Sequence, residues 1–376
     1  MEIYVVENGD SVDTIALQEA ISPESVIYAN QLVYPYELAV GQALLLQKGK
    51  NHANRTATVN GYAYPFIKEW TLAETLPYLT SLSVFSYGFT AEGTLLAPAL
   101  DDVWMIERAQ AADVMSVLTL TPFGADGNFN NRLIHSVVNH EAYTDRLIYE
   151  LLGVMEEKGF GAVDIDFEYI LAEDRDAFTS FVQKMRSAMN ASGYLLSVAL
   201  APKTSADQKG LLYEGKDYRA LGEAADSVLL MTYEWGYTYG PPMGVAPVNK
   251  VRQVVDYAVT EIPPEKIDLG IPNYGYDWPL PYERGVTKAK TIGNVEAVRI
   301  AIENGAAIQF DETAQSPYFH YISDGVEHEV WFEDVRSLRA KFGLIQEYGL
   351  RGAGYWQIMQ FFRANWMLLA DMFYIL

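Results

Sequence analysis

The hydrophobic positions divide most of the chain into short apolar runs of strand length and longer stretches with helical spacing. After residue 57 the two kinds alternate, and strand-like runs separated by helices indicate parallel strands. The runs cover residues 59–64, 82–89, 114–120, 162–169, 195–200, 227–233, 267–274 and 352–358. Residues 58–376 are therefore predicted to form an α/β fold, a (β/α)8 TIM barrel with its chemistry at the carboxyl ends of the strands.

Two segments depart from this alternation. Residues 1–48 have the order strand, helix, helix, strand and predict a small βααβ unit, and the polar residues 49–57 are interpreted as a linker. Between the seventh and eighth runs lie about seventy residues, which is long for a loop that joins a strand to a helix. A small α+β insertion is expected there, at about residues 279–333, where it would form one wall of a cleft.

Composition and charge narrow the class of function. Of the 376 residues, 50% are hydrophobic and 20% are charged, so the chain can bury a large core. The net charge of −22 argues against nucleic acid and anionic membranes as partners. No apolar segment reaches the roughly 20 residues that a membrane span needs, and the N-terminal sequence predicts no secretory signal.

Metal and nucleophile chemistry have little support in the sequence. The chain has no cysteine, which excludes disulfides and thiolate sites. Its five histidines include no pair with the helical spacing of a zinc site. We find neither a phosphate-binding loop nor a serine nucleophile elbow. No metal and no other cofactor is expected.

The fourth run carries the most informative residues, because acids alternate with apolar residues along it. In a strand, Asp164, Asp166 and Glu168 share one face, and the apolar residues share the other. A solvated edge strand would also alternate in this way. The run lies midway through the α/β alternation, however, where both faces are buried, so the acids are predicted to point into the barrel. The apolar residues of the outer face are Val163, Ile165, Phe167 and Tyr169.

Clustered carboxyl groups raise one another's pKa, and a carboxyl that stays protonated near neutral pH can serve as a general acid. Glu168, nearest the rim, is the candidate. A glycosidase that uses two carboxyl groups needs them on opposite sides of the scissile bond. Neighbours on one strand face lie on the same side, so Asp166 is poorly placed as a nucleophile. The acetamido carbonyl of the substrate can take that role instead.

This run resembles the DxxDxDxE signature of family 18 glycoside hydrolases, which have a TIM-barrel fold and act by substrate-assisted catalysis. The resemblance covers residues 58–376. Further matching segments, in chain order, are Gly61-Tyr62, Met231-Thr232-Tyr233, Gly270-Ile271-Pro272, Tyr274-Gly275 and Gly354-Tyr355-Trp356.

The resemblance implies a role for each matching residue. Glu168 resembles the general acid, Asp166 the partner that holds the acetamido N–H, and Asp164 the buried acid that shares a proton with Asp166. Tyr233 would donate to the acetamido carbonyl, and Trp356 would form the apolar floor under the sugar. The implied substrate-binding residues are Tyr62, Met231, Glu234, Asn273, Tyr274 and Trp356.

Three departures from the family pattern put chitinase-like contacts in doubt. Gly161 stands at the first acid of the signature, Glu234 where chitinases usually have Asp, and Tyr276 where many have Arg. Residues 234–242 and the pair Asp277-Trp278 look like the spore-germination branch. Its members are N-acetylglucosaminidases of cortex peptidoglycan, so a spore-associated protein, cytoplasmic before assembly, is expected. A chitinase and a non-catalytic lectin remain as alternatives.

The N-terminal unit resembles a LysM module over residues 2–47. LysM modules bind polymers that contain N-acetylglucosamine, which implies a peptidoglycan or chitin anchor. The matching residues are Tyr4-Val5-Val6, Gly9-Asp10-Ser11, Ile15-Ala16, Ile27-Tyr28-Ala29-Asn30 and Gly41-Gln42-Ala43-Leu44.

Overall fold

Eight parallel strands close into a barrel in the computed structural model, which describes residues 1–49, 53–124 and 127–376. The strands in these described ranges are β1 Glu2–Val5, β2 Ala43–Leu46, β3 Thr56–Ala63, β4 Ser81–Phe89, β5 Leu95–Leu96, β6 Met115–Leu120, β7 Ala162–Ile165, β8 Leu195–Leu200, β9 Ser227–Leu230, β10 Ile267–Pro272, β11 Gly275–Pro279, β12 Lys290–Ile292, β13 Gln309–Asp311, β14 Ser316–Ser323, β15 Val326–Trp331, β16 Gly352–Trp356 and β17 Tyr374–Ile375.

The barrel consists of β3, β4, β6, β7, β8, β9, β10 and β16, and it closes because β3 pairs in parallel with both β4 and β16. This confirms the predicted barrel. Within it, Asp164 of β7 lies opposite Thr119 of β6 and Ser197 of β8. The two faces of each strand meet the barrel interior and the surrounding helices, so the register of β7 sets which side chains point inward.

Helices cover the outside of the barrel with their apolar faces. In α6, Leu147, Leu151 and Met155 are buried, and the helix ends at Gly159, which adopts a left-handed conformation with φ of 80°. The helices are α1 Val12–Glu19, α2 Pro23–Ala29, α3 Glu69–Thr75, α4 Val103–Ala111, α5 Asn131–Asn139, α6 Glu141–Lys158, α7 Arg175–Ala191, α8 Tyr218–Ala224, α9 Val248–Glu261, α10 Asn294–Glu303, α11 Val335–Tyr348 and α12 Arg363–Met372, with short 3-10 turns at Leu76–Tyr78, Ala172–Asp174 and Pro264–Lys266. In the described ranges, no helix combines the length and the apolar character that crossing a membrane requires.

The N-terminal unit contains β1, α1, α2 and β2, with the two strands antiparallel. Ser11 caps α1 in a capping box with Thr14, and Ser22 caps α2 ahead of Pro23. The unit has its own small core, built around Ile15. Of the predicted linker, residues 50–52 lie outside the described residues, and its last two residues already belong to β3.

The N-terminal unit contacts the rest of the protein at two separate places. Arg363 donates its backbone N–H to Gln31 Oε1 at 2.6 Å, and its guanidinium lies 4.2 Å from the centre of the Tyr28 ring. At a second contact, Ile308 N–H donates to the Val40 carbonyl at 2.8 Å. Gly41 has φ of +82°, and a Cβ there would lie 1.8 Å from the Ile308 carbonyl oxygen, so only glycine fits this contact.

Between β10 and β16 the chain forms a five-stranded antiparallel sheet in the order β12-β11-β15-β14-β13, together with α10. Phe319, Val330 and Phe332 of this region are buried in a core separate from that of the barrel. The sheet begins at Gly275, a few residues before the position expected from sequence. β10 ends at Pro272, and β11, the first strand of the added sheet, begins three residues later.

Candidate active site

The acids of the fourth barrel strand point toward the barrel interior and its carboxyl rim. The hydrogen-bonded strand is shorter than predicted, because β7 ends at Ile165. Asp166 still donates its N–H to the Leu120 carbonyl at 3.0 Å, and Phe167 is fully buried in the outer core. The alternation of faces therefore continues as far as Glu168, beyond the end of the ladder.

Tyr169 corrects the predicted outer face. It was expected to pack outward with the apolar residues, but its side chain lines the same cleft as Asp166 and Glu168. Its ring meets Phe129 edge-on, with 5.5 Å between the ring centres. The strict alternation ends here because the chain has left the strand and follows a loop.

Asp164 lies beneath the other two acids and is fully buried. It accepts hydrogen bonds from Ser197 Oγ at 2.6 Å and from the Tyr62 hydroxyl at 2.8 Å. Burial raises the pKa of Asp164, and the two hydrogen bonds act in the opposite direction because they favour the ionised form. Tyr62 is only 3% exposed. In this structure Tyr62 supports Asp164 and is not among the residues that line the cleft, and its substrate contact stays a prediction.

Of the three acids, Asp166 and Glu168 lie nearest the carboxyl rim of the barrel and line the cleft. Burial raises the pKa of Asp166 well above its usual range, and the charges of Glu168 and Asp164 add to this effect. Burial also raises the pKa of Glu168, while the ammonium of Lys216 acts against both shifts. Asp166 Oδ1 is buried and has no hydrogen-bond partner among the described residues. A protonated Glu168 can therefore donate a proton, and Asp166 has an oxygen free to accept a hydrogen bond.

These acids open into a cleft of about 530 Å³ at the carboxyl rim of the barrel. Predicted site residues Asp166, Glu168, Met231, Tyr233, Glu234 and Trp356 all line it. The sequence analysis missed the other lining residues, which carry no catalytic motif. They are Phe85, Tyr169, Leu212 and Tyr237.

Trp356 and Tyr233 supply an apolar surface and a hydrogen-bond donor. Trp356 packs edge-on against Phe85, with 4.8 Å between the ring centres, and holds an aromatic surface at the cleft. Burial raises the pKa of Tyr233 well above its usual value, and the nearby charges of Asp166 and Glu168 raise it further. Tyr233 therefore keeps its hydroxyl proton and can donate it to a carbonyl oxygen.

Glu234 reaches the cleft in a left-handed backbone conformation, with φ of +65°. Its carboxylate accepts hydrogen bonds from the hydroxyl groups of Tyr274 and Tyr276, the latter at 2.9 Å. Tyr274 is buried behind Glu234 and positions it, and the expectation that Tyr274 contacts substrate stays a prediction.

Asn273 is also buried, and its side chain has a structural role. Its Nδ2 donates to the carbonyl oxygens of Gln357 and Gln360, at 3.1 and 2.7 Å. It thereby holds the loop that follows Trp356, and it is not part of the cleft surface. The substrate contact expected of Asn273 stays a prediction.

No group of three or more acidic or histidine side chains in the described ranges could hold a metal ion. The cleft combines a carboxyl group whose pKa is raised, a second carboxyl with an unused oxygen, a tyrosine donor and an aromatic floor. At the carboxyl rim of a (β/α)8 barrel, this arrangement defines a glycoside hydrolase.

Comparison with known proteins agrees with this class. The family described as "Glycosyl hydrolases family 18" matches residues 114–360. The chain is 39% identical to the cortical fragment-lytic enzyme of Bacillus subtilis strain 168, over 99% of this chain and 98% of that protein. The chain belongs to glycosyl hydrolase family 18.

Solved structures show the same similarity over all or most of the chain. The spore cortex-lytic enzyme SleL of Bacillus megaterium matches with a TM-score of 0.93 and 34% identity, covering 100% of this chain and 98% of that one. A chitinase from Chromobacterium violaceum matches with a TM-score of 0.78 and 26% identity, over 84% of this chain and 98% of the chitinase.

Proposed function

We propose that this enzyme hydrolyses cortex peptidoglycan fragments at the bond that follows N-acetylglucosamine, with the acetamido group of the substrate as the nucleophile. The names of the similar proteins from Bacillus subtilis and Bacillus megaterium support the cortex as substrate. The mechanism is supported by one observation: Asp166 and Glu168 follow the same strand, and both side chains point into the same cleft.

In the first step, Glu168 gives its proton to the leaving oxygen as the bond from that oxygen to the anomeric carbon breaks. The acetamido carbonyl oxygen forms the new bond to this carbon, which gives a cyclic oxazolinium ion. Asp166 accepts a hydrogen bond from the acetamido N–H, and the Tyr233 hydroxyl donates a hydrogen bond that orients the acetamido carbonyl. In the second step, Glu168 takes a proton from water, and the resulting attack reopens the ring with net retention of configuration.

This chemistry limits the sugar that can occupy the cleaved position. The acetamido group must be free to attack, so neither a muramic lactam nor a deacetylated glucosamine can serve there. The cleaved bond must therefore follow N-acetylglucosamine. Glu168 must be protonated for the first step, so activity is expected to fall as the pH rises through its raised pKa.

A second mechanism uses Glu234, which lines the cleft and comes from a different strand end. A pair of carboxyl groups formed by Glu168 and Glu234 would allow direct attack by water, and the product would then have inverted configuration. The two tyrosine hydroxyl groups that hold Glu234 favour a binding role instead.

The stereochemistry of the product separates the two mechanisms. We expect NMR of the first-formed product to show retention, a thiazoline analogue to inhibit, and Glu168→Gln to abolish turnover while binding persists. An inverted product would refute the substrate-assisted mechanism. Turnover of cortex fragments beside chitin oligosaccharides separates the cortex enzyme from a chitinase, and turnover of neither would leave a lectin.

We also propose that the N-terminal unit is a LysM module that binds the same glycan and that the protein acts at the spore. The loop between α2 and β2 presents Val33 and Tyr34, which are 80% and 81% exposed. In the Glu168→Gln background, Tyr34→Ala should weaken retention on insoluble peptidoglycan. Leu17→Ala is the matched control, because Leu17 on α1 is 84% exposed as well. Equal retention of both variants would contradict the proposal.

A further inference from the structure

A lysine lies buried behind the catalytic acids. Lys216 precedes α8 and is fully buried, and its ammonium donates to the carbonyl oxygen of Glu168 at 2.7 Å. The preceding Gly215 makes this approach possible, since a Cβ there would lie 2.3 Å from the Ile170 carbonyl oxygen. The loop that carries Lys216 is therefore pressed against the chain just after Glu168.

Burying an ammonium group costs free energy, so its position calls for a reason. Burial lowers the pKa of Lys216 to about 8, and the negative charges of Glu168 and Asp166 act against that shift. Among the described contacts, Lys216 forms no ion pair with either carboxylate, so both side chains stay available to the cleft. Its charge acts on them through space.

We infer that Lys216 is a positioning residue for the hydrolysis: its ammonium fixes the main chain at Glu168 and keeps a positive charge behind the two cleft carboxyl groups. This inference rests on the proposed function. In the first step Asp166 must be ionised while Glu168 keeps its proton. With three carboxyl groups in series, a buried cation is what allows one of them to ionise at moderate pH.

The surroundings of Lys216 define what its removal would change. Lys203 lies behind it and donates to the Lys216 carbonyl at 2.9 Å. The titratable groups around Lys216 and Glu168 are Asp164, Asp166, Tyr169, Lys203, Tyr233 and Glu234. Lys216 lowers the pKa of both Asp166 and Glu168, so its loss raises both.

The test is the pH profile of kcat/KM for Lys216→Gln and Lys216→Met. The acid limb reports the first ionisation of the coupled pair Asp166 and Glu168, and the alkaline limb reports loss of the proton that the pair retains. We expect both limbs to move to higher pH by about one unit in both variants, which is the scale of a unit charge acting over several ångströms of protein. Gln can still donate a hydrogen bond to the Glu168 carbonyl, whereas Met cannot. A shift that both variants show is therefore caused by loss of the ammonium charge.

Three comparisons complete the design. Lys216→Met removes a buried charge and keeps a similar shape, so it should fold, and its melting temperature checks this. Lys216→Arg keeps the charge and should keep both limbs. Lys209→Met is the matched control, because Lys209 lies in the same loop but is 83% exposed, and its profile should stay that of the unmodified enzyme.

A folded Lys216→Gln or Lys216→Met variant whose limbs coincide with those of the unmodified enzyme would overturn the inference, even if kcat falls. A shift in Lys216→Arg as large as that in Lys216→Gln would also overturn it. These outcomes differ from failure of the proposed function, in which the unmodified enzyme itself would show no turnover.

Discussion

The hydrogen bond from Tyr62 to Asp164 offers a direct measure of how the buried acid is held. Tyr62→Phe keeps the ring and removes the hydroxyl that donates to Asp164 at 2.8 Å. Both residues are buried, so water cannot easily replace the lost donor. The variant should be less stable, and the loss should depend on pH.

The dependence follows from the raised pKa of Asp164. A carboxyl whose pKa is higher in the folded than in the unfolded state stabilises the fold at low pH, and this contribution is lost as the pH rises through the folded value. Removing the Tyr62 donor raises the pKa of Asp164 further, so the variant loses most stability on the alkaline side. The lost hydrogen bond is worth about 1 kcal/mol to the neutral carboxyl and about 1.5–3 kcal/mol to the ionised form.

Calorimetric melting at both ends of the folded pH range measures this difference. An unfolding entropy of about 2.1 cal/mol/K per residue, summed over 376 residues, gives a shift of about 1.3 °C per kcal/mol. The expected loss is therefore about 1 °C at the acid end and about 2–4 °C at the alkaline end. Tyr64→Phe, which removes a hydroxyl without a hydrogen bond in the described structure, is the control.

A loss that is equal at both ends, or no larger than that of Tyr64→Phe, would refute this reasoning. Kinetics give an independent check, because Tyr62 lies beneath the cleft and does not line it. Tyr62→Phe should lower kcat and leave KM nearly unchanged. A rise in KM with constant kcat would support the expectation that Tyr62 contacts substrate.

Three further predictions concern the cleft floor, the attachment of the N-terminal unit and a buried ion pair. Trp356→Ala should lower kcat/KM roughly 70-fold, the equivalent of about 100 Å² of apolar contact; steady-state kinetics test this, and an unchanged value would contradict it. Gly41→Ala places a Cβ against the Ile308 carbonyl oxygen, so limited proteolysis should release the N-terminal unit faster while kcat on a small soluble substrate stays constant. Lys341→Met leaves its fully buried partner Glu333 unpaired and should lower stability by about 3–5 kcal/mol in denaturant titrations, whereas adding Glu333→Leu should recover most of the loss.

The sequence was sufficient to predict the barrel and the inward direction of the acids. Side chains alternate between the two faces of a strand, and when both faces are buried this alternation determines which side chains point into the barrel. That logic failed at Tyr169, where β7 has already ended and the loop turns the ring into the cleft. Tyr62 and Asn273, which the family resemblance placed at the substrate, are both buried. A family pattern indicates which strand end carries a residue, whereas the depth of a side chain depends on the packing around it.

Lys216 had no signal in the sequence. A single lysine ahead of a short helix usually lies in solvent, and nothing along residues 209–217 distinguishes it from the exposed Lys209. Its role arises from a contact between two loops that are far apart in the chain. Such a contact becomes visible only when the fold brings both loops to one edge of the barrel.

The fastening of the N-terminal unit through Gln31, Gly41 and Arg363 has a consequence for how a polymer would be handled. A module on a flexible tether offers its ligand to the catalytic domain over a broad range of separations, and the local concentration follows the length of the tether. A docked module instead holds its binding surface at a fixed distance and orientation from the cleft. Under the proposed glycan binding by this unit, a strand held on it would meet the cleft at one spacing and one angle, so strands long enough to bridge that spacing would gain avidity and shorter fragments would gain none.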